Sequence, residues 1–171
     1  EFVRASNLIV DLANNGDSTA QYVLSMYFRD PNALNIPELG EMWLMRAAEN
    51  NNADAQYDLG WRLAAGWKND TVDDIVEMIY WFERATFNGS EDAYANLATL
   101  YENEFRDVLA EMEVAANDGN AMAQFNLGWI NARGLVNSEG LMQDMDIAKA
   151  WFEKSANLGF KDAIEVLEKN F

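Results

Sequence analysis

Carboxylates are the groups of widest chemical reach in this sequence. Asp73-Asp74, Glu102 with Glu104, and Asp144 with Asp146 are pairs of the kind that acid–base or glycosidase-type hydrolysis uses. That chemistry asks for two carboxyl groups about 5 to 10 Å apart with pKa values driven apart by their surroundings. With 29 Asp and Glu in 171 residues, such pairs also arise from composition alone, and no pocket signature accompanies them. Asn69-Asp70…Asp73-Asp74 and Asp144-x-Asp146 have calcium-binding residue types, but neither follows the twelve-residue loop with its central glycine and terminal glutamate. The chain has no histidine and no cysteine. Ser-His and Cys-His nucleophiles, imidazole and thiolate metal sites and disulfides therefore drop out together. These residues predict a protein that is not an enzyme and has no cofactor and no metal. Asn69-Asp70-Thr71 and Asn88-Gly89-Ser90 match the glycosylation tripeptide, which acts only in a eukaryotic secretory context.

Charge narrows the partners. Against the 29 acids stand 12 Lys and Arg, a net charge of −17. Nucleic acid and anionic membrane surfaces are repelled by such a chain, and a basic partner is attracted. Between Asp70 and Asp118 there are thirteen acids and two arginines, a local balance of −11. This run reads either as a solvated surface or as a patch that steers a basic protein. The longest uncharged stretch, Gly119 to Ala132, is shorter than the ~20 apolar residues of a membrane span. Membrane insertion is not expected. The absence of cysteine suits a reducing cytoplasm, although an exported protein without disulfides is equally compatible with it. Position 1 is glutamate, so the sequence leaves an export signal ahead of it open.

What positions these groups is a repeat. Gly16-x-x-x-Ala20, Asn51-x-x-x-Ala55, Gly89-x-x-x-Ala93, Gly119-x-x-x-Ala123 and Gly159-x-x-x-Ala163 share one frame, with successive spacings of 35, 38, 30 and 40 residues. Such periods belong to two-helix repeats. Each alanine opens an apolar pattern with a leucine four residues on: Ala20…Leu24, Ala55…Leu59, Ala93…Leu97, Ala123…Leu127 and Ala163…Leu167. Apolar residues one turn apart on one face predict a helix. A second apolar helix ends just before each junction, where glycine, or Asn51 in its place, supplies the left-handed residue that stops it. The chain is thus read as all-α, an α-solenoid of stacked antiparallel helix pairs. A half-repeat at 2–16 precedes repeats at about 17–51, 52–89, 90–119 and 120–159 and a closing helix at 160–171. Ser25, Gly60, Ala98 and Gly128 fall where helices approach closely, and Trp43, Trp81-Phe82 and Trp151-Phe152 are expected to fill the space between layers. In the connection 29–40, Leu34, Ile36 and Leu39 are expected to tuck under the first unit.

The fourth unit, Ala123-x-x-x-Leu127-Gly128…Gly134-Leu135…Ala148-Lys149-Ala150-Trp151-Phe152-Glu153-Lys154-Ser155-Ala156-Asn157-Leu158-Gly159, resembles a Sel-one-like repeat, a relative of the tetratricopeptide repeat. The second unit, Ala55…Leu59-Gly60…Gly66 followed by Trp81-Phe82-Glu83-Arg84-Ala85…Gly89, is similar to it. The third departs from the pattern, with Glu111-Met112 where aromatics are expected and almost no room for a loop. The resemblance implies a protein-interaction scaffold with no catalytic residues.

In stacked pairs of this kind the first helices line the concave face. If the leucine points into the core, the positions two and six residues after each repeat alanine lie on that face: Tyr22 and Met26, Tyr57 and Trp61, Ala95 and Thr99, Phe125 and Trp129. Aromatic residues and methionine bury large area at low entropic cost, which suits them to anchor an interface. Arg29 and Arg133 flank the strip. The expected partner-binding residues are Tyr22, Met26, Arg29, Tyr57, Trp61, Thr99, Phe125, Trp129 and Arg133. The same rings could equally pack into the core. The reading is a non-enzymatic module that binds another protein on its concave face. An immunity or inhibitor protein that neutralises a basic toxin or effector is the second reading, and a hydrolase a distant third.

Overall fold

In the computed structural model the backbone is described for residues 2–65, 71–134 and 143–171, and the side chains for 7–65, 71–101, 106–134 and 143–171. Gly66, Asn69, Asp70, Leu135 and the side chains of Glu102 and Glu104 lie outside the described residues. What is described is helical: α1 (Phe2–Asn14), α2 (Ser18–Arg29), α3 (Pro37–Glu49), α4 (Ala53–Ala64), α5 (Val72–Phe87), α6 (Glu91–Asn117), α7 (Ala121–Arg133), α8 (Met145–Asn157) and α9 (Lys161–Asn170). The fold is an all-α solenoid of antiparallel helix pairs.

The repeated frame has a local cause. Gly16, Gly89, Gly119 and Gly159 take φ between 84° and 96°, and Asn51 takes 63°. At each, the chain leaves the preceding helix through a left-handed residue, and the N–H beyond it donates to a carbonyl of the last turn, as from Asn52 to Ala47 at 3.0 Å. The next helix starts at once on a capping side chain. Asp17, Asn52, Ser90 and Asn120 accept from the N–H groups of Ala20, Ala55, Ala93 and Ala123, the repeat alanines themselves. One motif of about five residues therefore stops one helix, turns the chain and starts another.

A glutamine next to the repeat alanine ties successive units. The Nε2 atoms of Gln21, Gln56 and Gln124 donate to the carbonyls of Ala13, Ala48 and Ala116, eight residues back, at 2.8 to 2.9 Å. Their Oε1 atoms face forward. Gln21 accepts from Asn50 and Gln56 from Asn88, both at 2.9 Å, so each amide links the helix before it to the turn after it. In the fourth unit the corresponding turn residue is Leu158, and Oε1 of the buried Gln124 has no hydrogen-bond partner. The third unit has lost the amide altogether. Tyr94 stands in its place and is 60% exposed.

Close approach is set by two glycines. A Cβ on Gly60 would lie 2.7 Å from the Phe82 ring, and one on Gly128 would collide with Phe152. Each first helix therefore presses onto an aromatic of the second helix of its own pair, as the small-residue pattern predicts. Trp43, Trp81, Phe82 and Phe152 are buried and Trp151 is half-buried. Leu39 packs on the first-unit cluster, but Leu34 and Ile36 are exposed. The turn at 30–36 carries those two outward; only Leu39, inside α3, returns to the core.

The third unit is not a pair. Residues 91–117 contain no glycine and no proline, and they run as one helix of 27 residues, about 40 Å at 1.5 Å per residue. This helix starts at the C-terminal end of α5 and ends near its N-terminal end, where Asn120 donates to Asp73 at 3.3 Å. α7 then runs alongside α5 in the same direction: Asn126 donates to the Val76 carbonyl at 2.8 Å, Phe125 faces Tyr80 at 6.0 Å, and Arg133 reaches Glu83. In a regular array that slot belongs to the second helix of unit three. The first helix of unit four occupies it instead, so the C-terminal pair is turned over relative to the second pair.

Leu158, Asn50 and Asn88 share one backbone conformation, with φ between −88° and −86°. Leu158→Asn is expected to place its amide on Gln124 Oε1 and to raise stability by about 1 kcal/mol, measured by urea unfolding. Gly128→Ala is expected to cost about 1–3 kcal/mol in the same assay, because Phe152 must leave its place.

Candidate protein-binding surface

The inversion divides the expected strip in two. Its N-terminal part is built on α2 and α4. Tyr22 and Tyr57, two residues after their repeat alanines, are half-buried; Tyr57 stacks on Phe82 at 5.9 Å and accepts from Asn96 of α6 at 3.2 Å. Burial first, and the carboxylates of Asp58 and Asp54 second, hold the Tyr22 phenol above its ordinary pKa, so it stays neutral. Met26 and Trp61, one turn further on, are 44% and 54% exposed. Thr99, the corresponding residue of α6, is also exposed, and its hydroxyl donates to the Ala95 carbonyl at 2.9 Å. The row six residues after the alanine is thus a surface row in the first three units, and Tyr22 and Tyr57 support that surface from below.

Arg29 is an element of structure. Its stem lies against Gly40, its Nε donates to the Ser25 carbonyl at 3.1 Å, and its Nη2 pairs with Asp58 at 2.7 Å. Asp58 also accepts from Arg62 Nε at 3.1 Å, and Arg62 pairs with Glu41 at 2.5 Å. This chain of alternating charges joins α2, α3 and α4 beside Met26 and Trp61. Sequence reasoning missed Asp58, Arg62 and Glu41. The spacing of Asp58 and Arg62, one helical turn apart, was the available signal for one link; the link to Arg29, 29 residues earlier in the chain, had none.

The C-terminal part of the strip is placed differently. Phe125 is 2% exposed and lies among Tyr80, Phe152 and Phe160, with ring centroids 5.3 to 6.0 Å away. Trp129 is half-buried between Phe87 and Phe152, both at 5.5 Å. Neither shares a face with Met26 and Trp61. Because α7 sits beside α5, the residues that face the groove in a regular array face inward here. Arg133 is drawn in with them: its Nη1 lies 2.5 Å from Glu83 Oε2, and its guanidinium covers the Trp129 ring at 5.3 Å.

Of the carboxylates singled out for chemistry, Asp74 and Asp144 cap helices. Asp74 forms a capping box with Thr71, whose hydrogen bonds lower its pKa. Asp144 caps α8 by accepting from Ile147 at 2.9 Å, and Asp146 is exposed in the first turn of the same helix. Glu83 is the carboxyl pushed up, to about 7, chiefly by burial. It is fully enclosed and does not line the cleft of about 140 Å³ that opens between α5, α7 and α9 at Arg84, Phe87, Trp129 and Asp162. Among the described residues no cluster of three or more acids could hold a metal ion, and no helix is long and apolar enough to cross a membrane.

Paired helices joined by glycine turns and locked by small-residue contacts define a helical-repeat protein. The Sel1 repeat model matches residues 53–86 and 121–160 of this chain. It is similar to a Sel1 repeat protein from Oxalobacter formigenes of known crystal structure, with 27% identity over 96% of this chain and 98% of that one and a TM-score of 0.42. It is also similar to c5321, a protective antigen present in uropathogenic Escherichia coli strains displaying an SLR fold, with 27% identity over 95% of this chain and 35% of that one and a TM-score of 0.47. No curated protein matches.

Phe125→Ala is expected to cost about 3–5 kcal/mol of stability, as for any large ring removed from a packed interior. Met26→Ala and Trp61→Ala are expected to stay within about 0.5 kcal/mol. Chemical denaturation of the three variants checks the division of the strip.

Proposed function

We propose that this chain is a non-enzymatic module that binds a partner protein on the face formed by α2, α4 and the first half of α6, with Trp61 as its anchor. Sel1 repeat proteins generally mediate protein–protein interaction. The observation that carries the choice of face is the exposure of Trp61, 54%, beside that of Met26, 44%, on neighbouring first helices. Tryptophan is enriched among the residues that dominate interface energetics, and a ring already held by a rigid helix loses little entropy when covered. The charge chain from Arg29 to Glu41 lies beside these side chains with its charges mutually satisfied, so covering it leaves no isolated ion.

A second reading names the partner as a basic protein that this chain neutralises. Supporting it, Glu91, Asp92, Asp107 and Glu113 of α6 are all exposed, on a chain of net charge −17. Attraction of this kind acts mainly on the association rate and weakens with salt.

A photo-crosslinking residue at position 61 is expected to capture the partner in native cells, and one at the exposed Val114 is not. With the captured partner purified, Trp61→Ala is expected to weaken binding by about 2 kcal/mol, roughly thirtyfold, with the fold intact. Unchanged affinity overturns the face. An association rate that falls steeply between low and physiological salt selects the basic partner, and a flat one rejects it.

A further inference from the structure

Glu83 is unusual for its position. Glu153, its counterpart in the fourth unit, is exposed, whereas Glu83 is 0% exposed at the point where α5, α6 and α7 meet. Among the described residues, two charged or titratable groups face it from the packed helices. Arg133, in the last turn of α7, places Nη1 2.5 Å from Oε2, and Tyr101 of α6 donates its hydroxyl to Oε1 at 3.2 Å. On its own helix Arg84 is turned away, to Asn51, Tyr80 and Asp162. Arg133 therefore meets the carboxylate at Oε2 and Tyr101 meets it at Oε1. The guanidinium meanwhile covers Trp129, which lines the cleft between α5, α7 and α9.

We propose that Glu83 is a proton-operated latch: ionised, it holds Arg133 and with it the C-terminal turn of α7 against α5 and α6, and protonated, it lets that turn loosen and uncover Trp129. The latch is independent of the binding face on α2 and α4. Charge attraction to Arg133 and the Tyr101 hydrogen bond favour the ionised carboxylate, and burial opposes them more strongly. The balance leaves the carboxyl at about 7, against an ordinary 4.5, so the proton comes and goes near neutrality. Because the folded value is the higher one, the group's own contribution to global stability is fully present below pH 4.5 and is lost as pH rises to about 7. The local hold moves the other way and tightens over the upper end of that window.

Carboxyl carbon NMR on the full chain, followed through pH with amide exchange of residues 130–133, tests the latch. One glutamate is expected to titrate near pH 7, and protection of those amides, corrected for intrinsic exchange, is expected to fall severalfold on acidification through the same midpoint. Glu83→Gln is expected to abolish that titration and to make protection pH-independent. Arg133→Met, which removes the opposing charge without touching the carboxyl, is expected to raise the midpoint further, and it decides the matter if Glu83→Gln does not fold. A Glu83 midpoint below 5, a midpoint unmoved by Arg133→Met, or protection that does not follow the titration overturns the proposal.

Discussion

A helix reverses direction only where some residue stops it, and the architecture of this protein turns on a place where none does. Everywhere else in the repeat frame, a left-handed glycine or asparagine ends one helix and the next starts at once, on a capping side chain at every junction but the last. Between Glu91 and Asn117 there is no such residue, and the apolar positions Leu97, Tyr101, Val108 and Met112 remain on the buried side of one continuous helix. A unit that should contribute two crossings of the molecule contributes one. Everything downstream is therefore presented in the opposite sense, and side chains that would line a groove are packed against α5, α8 and α9.

The polar interior follows from that inversion. Glu153, which follows the aromatic pair of α8, is exposed. Covering α5 with α7 encloses Glu83, and enclosure alone would be costly; Arg133 and Tyr101 offset part of that cost without removing it. Asn126 is enclosed by the same contact, with its amide on the Val76 carbonyl and its Oδ1 without a partner. By contrast, the alternating charges of Arg29, Asp58, Arg62 and Glu41 remain partly in water, where such pairs contribute little stability and serve mainly to fix side-chain positions.

Local chemistry was legible in the residues and long-range placement was not. The Gly-x-x-x-Ala frame marks stops, caps and starts that depend on residues within about five positions of each other, so helix boundaries, junctions and close-packing glycines could be read directly. Met26 and Trp61 emerge on the surface because α2 and α4 keep the regular stacking. Phe125, Trp129 and Arg133 have the same spacing within their own unit, yet their surroundings are set by a helix that fails to break 20 to 30 residues earlier. The 30-residue spacing marks the third unit as irregular, but nothing in it says that the effect falls on the orientation of the next unit. The glutamines after Ala20, Ala55 and Ala123 were a further signal, because a polar residue recurring at one register position is itself a sign of a buried partner.

Repeat proteins whose units touch only their immediate neighbours melt piece by piece, each segment close to its own midpoint. Here Tyr80 donates its hydroxyl to Asp162, 82 residues away, and the rings of Tyr80, Phe125 and Phe160 close a triangle across α5, α7 and the turn into α9. Such bonds make the loss of one end a loss for the middle as well. The helices from α4 onward are thereby tied into one cooperative block, while α1, which packs chiefly on α2, is left to fray by itself.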